Sequence, residues 1–308
     1  MKILLTGAGG MVGHNILEHP RAADYDFLSP RRGDLDLAQK QQVDAYLSKH
    51  RPDLIIHASG RVGGIQANIR HPVEFLLENL DQGRNLVMSA HEHGIQRLLN
   101  FGSTCMYPRQ AASPLTEDLI LHGELEPTNE GYALAKITIA RLCQYLNRQY
   151  GRSYKTLIPC NLYGRHDKFD PKHSHLIPAI IAKIDDALLS GSEEVGIWGT
   201  GEARREFLYA GDLAEFVFQA LARYDEVPEL VNVGYGNDFS VNDYYQAVAT
   251  VIGYRGRFTH DLSRPVGMAR KLSSTVLAAR FGWHPKTSLE EGLRLTCDYY
   301  QGSKGNLS

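Results

Sequence analysis

The sequence predicts an α/β protein with a doubly wound parallel sheet and a smaller mixed carboxyl-terminal lobe. Short apolar runs alternate with longer helical patterns in the first half, and a glycine-rich turn follows the first apolar run. After residue 164 the regular alternation ends. Strands that alternate with helices form right-handed βαβ units, which build a parallel sheet covered on both faces. We expect one domain over residues 1–164 and a substrate-binding lobe over 165–308, parts of which return to the large sheet.

The expected elements follow one another in a regular order along the chain. Short, continuous apolar runs are typical of buried parallel strands, and longer periodic runs are typical of helices. In the first half we expect strands at 2–6, 26–29, 54–57, 97–102 and 154–161, and helices at 12–18, 39–50, 73–93 and 132–150. In the second half we expect helices at 177–189, 207–222 and 241–252, and extended pieces at 195–198, 230–233 and 257–259.

The composition excludes several classes of protein. The 308 residues carry a formal net charge of −2, which provides no basic field for nucleic acid or an anionic membrane. No apolar run approaches the roughly 20 residues that span a bilayer, and the amino terminus lacks the pattern of a signal peptide. The four cysteines show no metal-ligand spacing. We expect a cytoplasmic protein with no metal, no nucleic-acid partner and no membrane partner.

A glycine-rich turn joins the first predicted strand to the first helix. In the sequence GAGGMVG, Gly7 permits a tight turn, Gly10 lets the backbone approach a pyrophosphate, and Gly13 lets the helix pack on the strand. The helix that starts with Met11 and Val12 then offers free N–H groups to the phosphates. In this strand–turn–helix context the motif indicates a Rossmann dinucleotide site; the alternative is a simple tight turn.

The end of the second predicted strand selects the cofactor. An NAD site places an acid there, whereas an NADP site uses arginine to bind the 2′-phosphate. Arg31 and Arg32 precede any acid, so we expect NADP(H). The alternative is a solvated basic turn, and Asp34 or Asp36 could still contact the adenine or the ribose.

Small residues follow the third predicted strand. Because small side chains let the backbone approach a ligand closely, His57, Ala58 and Ser59 are expected to flank the cofactor.

A tyrosine and a lysine lie four residues apart in a predicted helix, which places both on one face. The ammonium of Lys136 is expected to lower the pKa of Tyr132 and to bind the nicotinamide ribose. Tyr132 can then exchange a proton with a carbonyl or alcohol while hydride moves to or from the nicotinamide. Ser103, after the fourth predicted strand, is positioned to bond the same substrate oxygen; the alternative for Ser103 is a turn cap.

These residues and several further motifs resemble the GDP-L-fucose synthase family, in the extended short-chain dehydrogenase/reductase superfamily. The resemblance covers nearly the whole chain. It is carried by the glycine turn and by residues 62–65, 102–108, 126–136, 161–164, 173–175, 198–199 and 205–207.

The resemblance implies an epimerase that is also a reductase. Ser103, Tyr132 and Lys136 match the family's reductase triad, and Cys105 and His175 match its acid/base pair for epimerisation at carbons 3 and 5. That chemistry makes sense because a ketone at carbon 4 acidifies the hydrogens on both neighbouring carbons. A thiol and an imidazole both titrate near neutrality. The alternatives are a small buried Cys105 and a capping His175.

The resemblance also implies binding residues and an assembly. Near the nicotinamide it places Asn161, Leu162 and His175. On a GDP-linked sugar it places Thr104, Lys183, Trp198, Arg205 and Lys271. It further implies a homodimer in which helices 73–93 and 132–150 pair across a two-fold axis into a four-helix bundle.

The sequence departs from the family pattern at four positions. Lys183 replaces a frequent arginine, Gly131 replaces a common proline, and Arg165 stands where proline is common. Val266 stands where an aspartate usually contacts the nucleotide, which leaves the base and the sugar open.

Other readings of the sequence stay open. A single-function reductase, a 4-epimerase, or a 5-epimerase/4-reductase of a GDP-colitose or GDP-6-deoxy-heptose pathway would carry much the same residues. A 4,6-dehydratase is disfavoured because those enzymes have an Asp-Glu pair where this chain has Cys105 and Met106. A redox-sensing regulator that binds NADP(H) without catalysis would tend to lose Tyr132 and Lys136, and both are present.

Replacing Arg31 and Arg32 together with alanine should weaken NADPH binding far more than NADH binding, because only NADPH carries the 2′-phosphate that the guanidinium groups would hold. Fluorescence titration of both cofactors against wild type and the double variant measures this difference. Equal use of the two cofactors by the wild type would show that the arginines are surface charges.

Overall fold

The computed structural model describes residues 1–170, 174–263 and 269–305. Two positions named in the sequence analysis lie outside these residues. They are Val266, which stands where the family usually has an aspartate, and His173 of the 173–175 motif. Within the described ranges, no helix combines the length and apolar character needed to cross a membrane.

The strands and helices alternate as expected through the first half. The strands are β1 (Lys2–Thr6), β2 (Asp26–Leu28), β3 (Leu54–His57), β4 (Arg97–Phe101), β5 (Ser153–Pro159), β6 (Asn161–Tyr163), β7 (Glu194–Trp198), β8 (Arg204–Arg205), β9 (Phe207–Tyr209), β10 (Leu230–Val233), β11 (Phe239–Ser240), β12 (Arg257–Asp261) and β13 (Arg270–Lys271). The helices are α1 (Met11–Leu17), α2 (Lys40–His50), α3 (Ile65–Arg70), α4 (Pro72–Glu92), α5 (Glu130–Tyr150), α6 (Leu176–Ser190), α7 (Ala210–Ala222), α8 (Val241–Ile252), α9 (Val276–Arg280) and α10 (Leu289–Gly305).

Six strands form one parallel sheet in the order β10-β5-β4-β3-β1-β2. The order runs outward from β1 in both directions, which is the doubly wound arrangement, so the predicted fold class is confirmed. The strand β10 comes from the second half of the chain and pairs with β5 at the edge of the sheet. We keep the division into residues 1–164 and 165–308 as a proposal.

Alternate residues of the central strands pack in two separate hydrophobic cores, one on each face of the sheet. Ile3 and Leu5 of β1 pack in one core with residues of α1 and α7, such as Phe216. Leu4 points to the other face, where it packs with residues of α2, α4 and α5, such as Leu86. Because strand side chains alternate between faces, the continuous apolar run of β1 fills both layers.

The second lobe is a mixed structure with its own core. Its sheets are the parallel pairs β7–β12 and β6–β9 and the three-stranded order β11-β8-β13. Residues of α6, α8 and α10 enclose β7, with Ile181, Ile197, Tyr244 and Leu293 fully or almost fully buried.

Several elements differ from those expected from sequence. The helix expected at 207–222 begins as the strand β9, because its first three residues, Phe207–Tyr209, are buried beside β6 and a short apolar run fits either element. Helices α3, α9 and α10 and the two-residue strands β8, β11 and β13 were not expected. The ragged tail expected from residue 301 is helical through Gly305, where the ammonium of Lys304 bonds the buried carboxylate of Asp185 at 2.9 Å.

Replacing Gly13 with alanine should lower the melting temperature, at a cost on the order of 1–3 kcal/mol in the free energy of unfolding. An added Cβ would lie 2.3 Å from the carbonyl oxygen of Gly7 and 2.5 Å from Cα of Ala8, so backbone must move. The control is Gly302→Ala in α10, where a Cβ meets nothing within 4 Å and helix propensity improves. Equal melting temperatures for the two variants, measured by circular dichroism, would contradict the packing role of Gly13.

Candidate active site

A cavity of about 730 Å³ opens at the carboxyl ends of β1, β2 and β3. This is the edge of a doubly wound sheet where ligands bind. Of the residues expected at the cofactor, it is lined by Gly7, Gly10, Arg31, Arg32, Asp36 and Ser59. Met11 and Val12 form the first turn of α1 directly after this glycine turn.

The glycine turn leaves no room for a side chain at Gly7. Gly7 has a φ of +76°, and a Cβ there would lie 2.6 Å from the backbone of Ala58 and of Ser59. The N–H of Gly10 donates to the carbonyl of Gly7 at 3.0 Å and closes the turn. The turn therefore lies directly against the segment after β3, so its exposed N–H groups face a cavity wide enough for a dinucleotide.

The two arginines at the far wall of the cavity have no carboxylate partner in the described part of the chain. The nearby acids are engaged with backbone: Asp34 accepts from the N–H of Arg31 at 3.1 Å, and Asp36 accepts from the N–H of Ala38 at 3.1 Å. Two unpaired guanidinium groups at the end of a dinucleotide-sized groove fit the 2′-phosphate of NADP(H).

His57 is buried at the end of β3, with Nδ1 2.9 Å from Oγ1 of Thr6. Burial, with a smaller effect from the nearby Lys136, lowers the pKa of His57 to about 3. The imidazole is therefore neutral at physiological pH and ties the ends of β1 and β3 together. Its expected contact with the cofactor stays a prediction.

Several residues that line the cavity were not expected from sequence. Arg61 directly follows the segment that was expected to flank the cofactor, and the sequence offered no signal for it beyond this adjacency. Oγ of Ser59 donates to Gln82 at 2.8 Å and a guanidinium nitrogen of Arg61 donates to Glu78 at 2.6 Å. Glu78 and Gln82 are four residues apart on α4, so a helical i,i+4 pattern was the available signal.

The ammonium of Lys136 is buried beneath the end of β4. Nζ donates to the carbonyl of Phe101 at 2.9 Å and lies 5.8 Å from the centre of the Tyr132 ring. A Cβ on Gly60 would lie 3.6 Å from this nitrogen, so Lys136 reaches the inner end of the cofactor cavity. Burial lowers the pKa of Lys136 to about 8.

Tyr132 and Ser103 are brought together as expected. The Tyr132 hydroxyl lies near the side chains of Ser103 and Cys105, and both influence its pKa. The expected lowering of the Tyr132 pKa is not found, because burial of the hydroxyl, followed by the electrostatic influence of Cys105, raises it and only the influence of Ser103 opposes them. Tyr132 is therefore held in its protonated form.

Ser103 serves two functions in the turn after β4. Its Oγ accepts from the N–H of Cys105 at 3.2 Å and caps the 3₁₀ turn Thr104–Met106, so the expected alternative of a cap coexists with the contact to Tyr132. Thr104, expected to touch substrate, is buried in this turn.

Cys105 is half-buried, whereas the other three cysteines are buried. Its sulfur accepts a hydrogen bond of 3.1 Å from Nδ2 of Asn129, a residue that the sequence analysis did not single out. Asn129 lies in the segment 126–136 that carried the family resemblance, so the motif itself was the available signal.

His175 is the residue that precedes α6, and its side chain makes no capping hydrogen bond. Desolvation and the positive charge of Lys168 lower its pKa. The carbonyl oxygen of Ser174 would lie 3.6 Å from a Cβ on Gly64, so this loop of the second lobe meets the loop that follows β3.

Asn161 and Leu162 begin β6, which directly follows β5. Nδ2 of Asn161 donates to the carbonyl of Glu206 at 3.0 Å, and Leu162 pairs with Leu208 of β9. This pairing joins the strand end near the nicotinamide site to the second lobe.

Neighbouring strands of the second lobe place Arg205 beside Lys271, as Cα partners of β8 and β13. On the opposite face, Arg204 and Arg270 both bond the carboxylate of the buried Asp238, at 2.7 Å from Nε of Arg204. Within the described ranges Arg205 and Lys271 have no carboxylate partner. The two remaining cations can hold the diphosphate of a nucleotide sugar.

Lys183 and Trp198 lie near each other in the same lobe. Nζ of Lys183 donates to the carbonyl of Gly196 on β7, and burial lowers its pKa. Trp198 ends β7 and is 62% exposed.

Residues 3–234 match the model of the NAD dependent epimerase/dehydratase family. The chain is 54% identical to GDP-L-colitose synthase of Yersinia pseudotuberculosis over 99% of this chain and 100% of that protein. It is 47% identical to GDP-L-fucose synthase of Azorhizobium caulinodans, over 97% of this chain and 96% of that protein.

A solved structure described as MlghC, a GDP-mannoheptose C4 reductase from Campylobacter jejuni with NADP bound, superposes with a TM-score of 0.88. It is 27% identical, and the match covers 97% of this chain and 98% of that one. Together with the glycine turn and the Ser103, Tyr132 and Lys136 cluster, these similarities confirm the predicted resemblance. The chain belongs to the NAD dependent epimerase/dehydratase family, among the relatives of GDP-L-fucose synthase.

Proposed function

We propose that this chain catalyses 3,5-epimerisation and NADPH-dependent 4-keto reduction of a GDP-4-keto-6-deoxy-hexose. The observation that carries the proposal is the cluster in which Tyr132 lies beside Ser103 and Cys105, and Cys105 donates its backbone N–H to Ser103 at the end of β4. A reductase alone needs the tyrosine and the serine, whereas a thiol adjoining them supplies a second proton-transfer group.

The cofactor supplies hydride when bound. The glycine turn would hold its pyrophosphate, Arg31 and Arg32 its 2′-phosphate, and Lys136 its nicotinamide ribose. Two observations support this assignment. Arg31 and Arg32 line the cavity without a carboxylate partner in the described residues, and the buried ammonium of Lys136 lies close to Gly60, which lines the same cavity.

The chain's own groups divide the proton transfers. Cys105 removes a proton beside the carbon 4 ketone, while Ser103 and Tyr132 stabilise the enolate oxygen by hydrogen bonds. His175 returns a proton from the other face; desolvation makes its protonated form a stronger donor. Tyr132, whose raised pKa keeps it protonated, then gives its proton to the carbon 4 oxygen during reduction.

A second candidate is a 5-epimerase/4-reductase that makes GDP-L-colitose. It is favoured by the 54% identity to a colitose synthase, which exceeds the 47% identity to the fucose synthase of Azorhizobium caulinodans. A 3-deoxy substrate has no stereocentre at carbon 3, so the same Cys105 and His175 would invert carbon 5 alone. A panel of GDP-linked 4-keto sugars, with products identified by NMR, separates the two candidates.

The assembly that we propose is a homodimer in the cytoplasm, formed through α4 and α5. Val73 and Leu77 are exposed one turn apart on α4, and Leu134 and Tyr145 are exposed three turns apart on one face of α5. These apolar side chains form a stripe that a second copy could cover.

The affinity for NADPH should fall as the pH rises through about 8. Lys136 is charged below its lowered pKa and neutral above it, so the cation is lost in that window, whereas arginines stay charged. Fluorescence titration across this window measures the effect. Lys136→Met should bind more weakly at every pH and lack this slope; the same slope in the variant would assign the titration to another group.

Replacing Cys105 with serine should abolish deuterium exchange from solvent at the sugar ring while NADPH oxidation persists, so the product keeps the uninverted configuration. Tyr132→Phe should do the reverse, with hydride transfer reduced roughly 10²- to 10⁴-fold because the general acid is lost. Proton NMR in D₂O and absorbance at the NADPH band measure both steps in one reaction.

His175→Asn should slow inversion more than it slows reduction of a substrate that is already inverted. It therefore serves as the second test of the epimerase half of the proposal. Unchanged deuterium incorporation and unchanged stereochemistry in both Cys105→Ser and His175→Asn would leave a plain 4-keto reductase.

Replacing Leu77 and Leu134 with lysine should convert the dimer to a monomer, because the charges would be buried between the two copies. Sedimentation at micromolar concentration measures the mass. The matched control is Leu189→Lys on α6, which is 73% exposed on a different helix. A monomeric wild type would rule out the dimer.

A further inference from the structure

We infer that Asn129 is a positioning residue for Cys105, whose amide N–H holds the sulfur as a thiolate ready to accept a proton from the sugar ring. The inference rests on the proposed function, in which Cys105 is the base. Its starting observation is the hydrogen bond of 3.1 Å from Nδ2 of Asn129 to Sγ of Cys105. A thiolate accepts such a bond more strongly than a neutral thiol does.

The side chain of Asn129 bonds the sulfur rather than the first turn of the helix that follows it. Asn129 is the N-cap residue of α5, with a φ of −140° and a ψ of 23°, yet its side chain makes no capping hydrogen bond. Asparagine is among the residues preferred at this position because its side-chain oxygen ordinarily accepts from an N–H of the first helical turn. Here the amide turns away from the helix and towards the sulfur, so its orientation serves Cys105 at the expense of the cap.

Two hydrogen bonds position Cys105. Oγ of Ser103 accepts from its backbone N–H at 3.2 Å, and Nδ2 of Asn129 donates to its sulfur. Asn129 is the N-cap residue of the 21-residue helix α5, so the sulfur that it bonds lies near the positive, amino-terminal end of that helix. A helix amino terminus and a neutral N–H donor both stabilise a thiolate over a thiol.

The other end of the amide suits the protonated sulfur. Oδ1 of Asn129 is buried and has no hydrogen-bond donor in the part of the chain that the structure describes. When Cys105 accepts the ring proton, the C–H electron pair remains on the sugar as the enolate and an S–H bond forms. That S–H is a donor, and a half-turn of the amide presents Oδ1 to accept it. Asparagine can therefore bond both protonation states of the base, which aspartate and alanine cannot.

The rate of alkylation of the intact protein by iodoacetamide tests the inference directly. The thiolate is the reactive form, and Cys143, Cys160 and Cys297 are buried, so the modified residue, identified by peptide mass, is Cys105. In Asn129→Asp the carboxylate preserves size and capping ability but repels the thiolate and donates no hydrogen bond. Near neutral pH this variant should react at least about tenfold more slowly than wild type, as expected for loss of a hydrogen bond to a charged group.

Thr128→Ala is the matched control. It changes the neighbouring residue, whose hydroxyl donates to Glu126 at 3.1 Å rather than to the sulfur. This variant should alkylate and exchange deuterium at the wild-type rate. Deuterium exchange into the sugar should fall in Asn129→Asp by a factor similar to that of alkylation. Reduction of an already inverted substrate should fall much less, which a general loss of structure would not produce.

The outcomes separate this inference from the proposed function. Alkylation at the wild-type rate in Asn129→Asp, or an equal loss in Thr128→Ala, overturns the inference. Deuterium exchange that is lost in Cys105→Ser but retained in Asn129→Asp also overturns it and leaves the proposed function standing. Exchange that survives in Cys105→Ser overturns the proposed function, and with it the catalytic part of the inference.

Discussion

The burial of one ammonium group, that of Lys136, constrains the rest of the site. A buried charge needs partners, and here the protein provides one carbonyl, at 2.9 Å, and the face of the Tyr132 ring. Burial lowers the pKa to about 8, from an ordinary value of 10.5. Because the unfolded chain binds this proton more tightly, the Lys136 contribution makes the free energy of unfolding rise with pH between those two values. The buried charge of Lys136 therefore lowers the free energy of unfolding at neutral pH. In return, it places a cation close to the cofactor cavity, where a ligand can interact with it.

The structural features that depend only on residues close together in the sequence could be predicted. The turn from Gly7 to Gly13 and the i,i+4 pair of Tyr132 and Lys136 need only one strand–turn–helix and one helix, so their roles in the fold follow from spacing. The contact between Cys105 and Asn129 joins positions 24 residues apart and depends on how the turn after β4 packs against the start of α5. No periodicity encodes that contact, and the preference of asparagine for N-caps would have suggested the opposite orientation.

The sequence analysis missed some elements for a related reason: tertiary contacts, not local sequence, determine their structure. The strand β9 is three buried residues long, and only its partner β6 makes it a strand rather than the first turn of α7. The end of α10 contains Gly302, Ser303 and Gly305, which are poor helix formers. Its helix is stabilised by tertiary contacts, among them the bond from Lys304 to Asp185, and local propensity yields to such contacts.

The alternation of side chains along a strand places the charged residues of the second lobe on two different faces of its small sheet. Arg204 and Arg205 are adjacent in sequence, but successive side chains of a strand point to opposite faces. Asp238 is buried and takes Arg204 with Arg270 on its face, which leaves Arg205 with Lys271 on the other. A register slip of one residue would exchange the two arginines and place the unpaired cations on the wrong face. The buried carboxylate thus fixes which side of the small sheet is electropositive, although it does not itself face that side.

The same electrostatic coupling gives an order to the proposed reaction. Burial is the main influence that raises the pKa of Tyr132, and Cys105 adds to it, so a thiolate at Cys105 would help the tyrosine to keep its proton. When Cys105 takes a proton from the sugar, that repulsion disappears and the tyrosine proton becomes easier to transfer. Two groups that share one strand end are therefore not independent acids. A serine at position 105 would carry no such charge, so a serine-containing site would lack this coupling as well as the base.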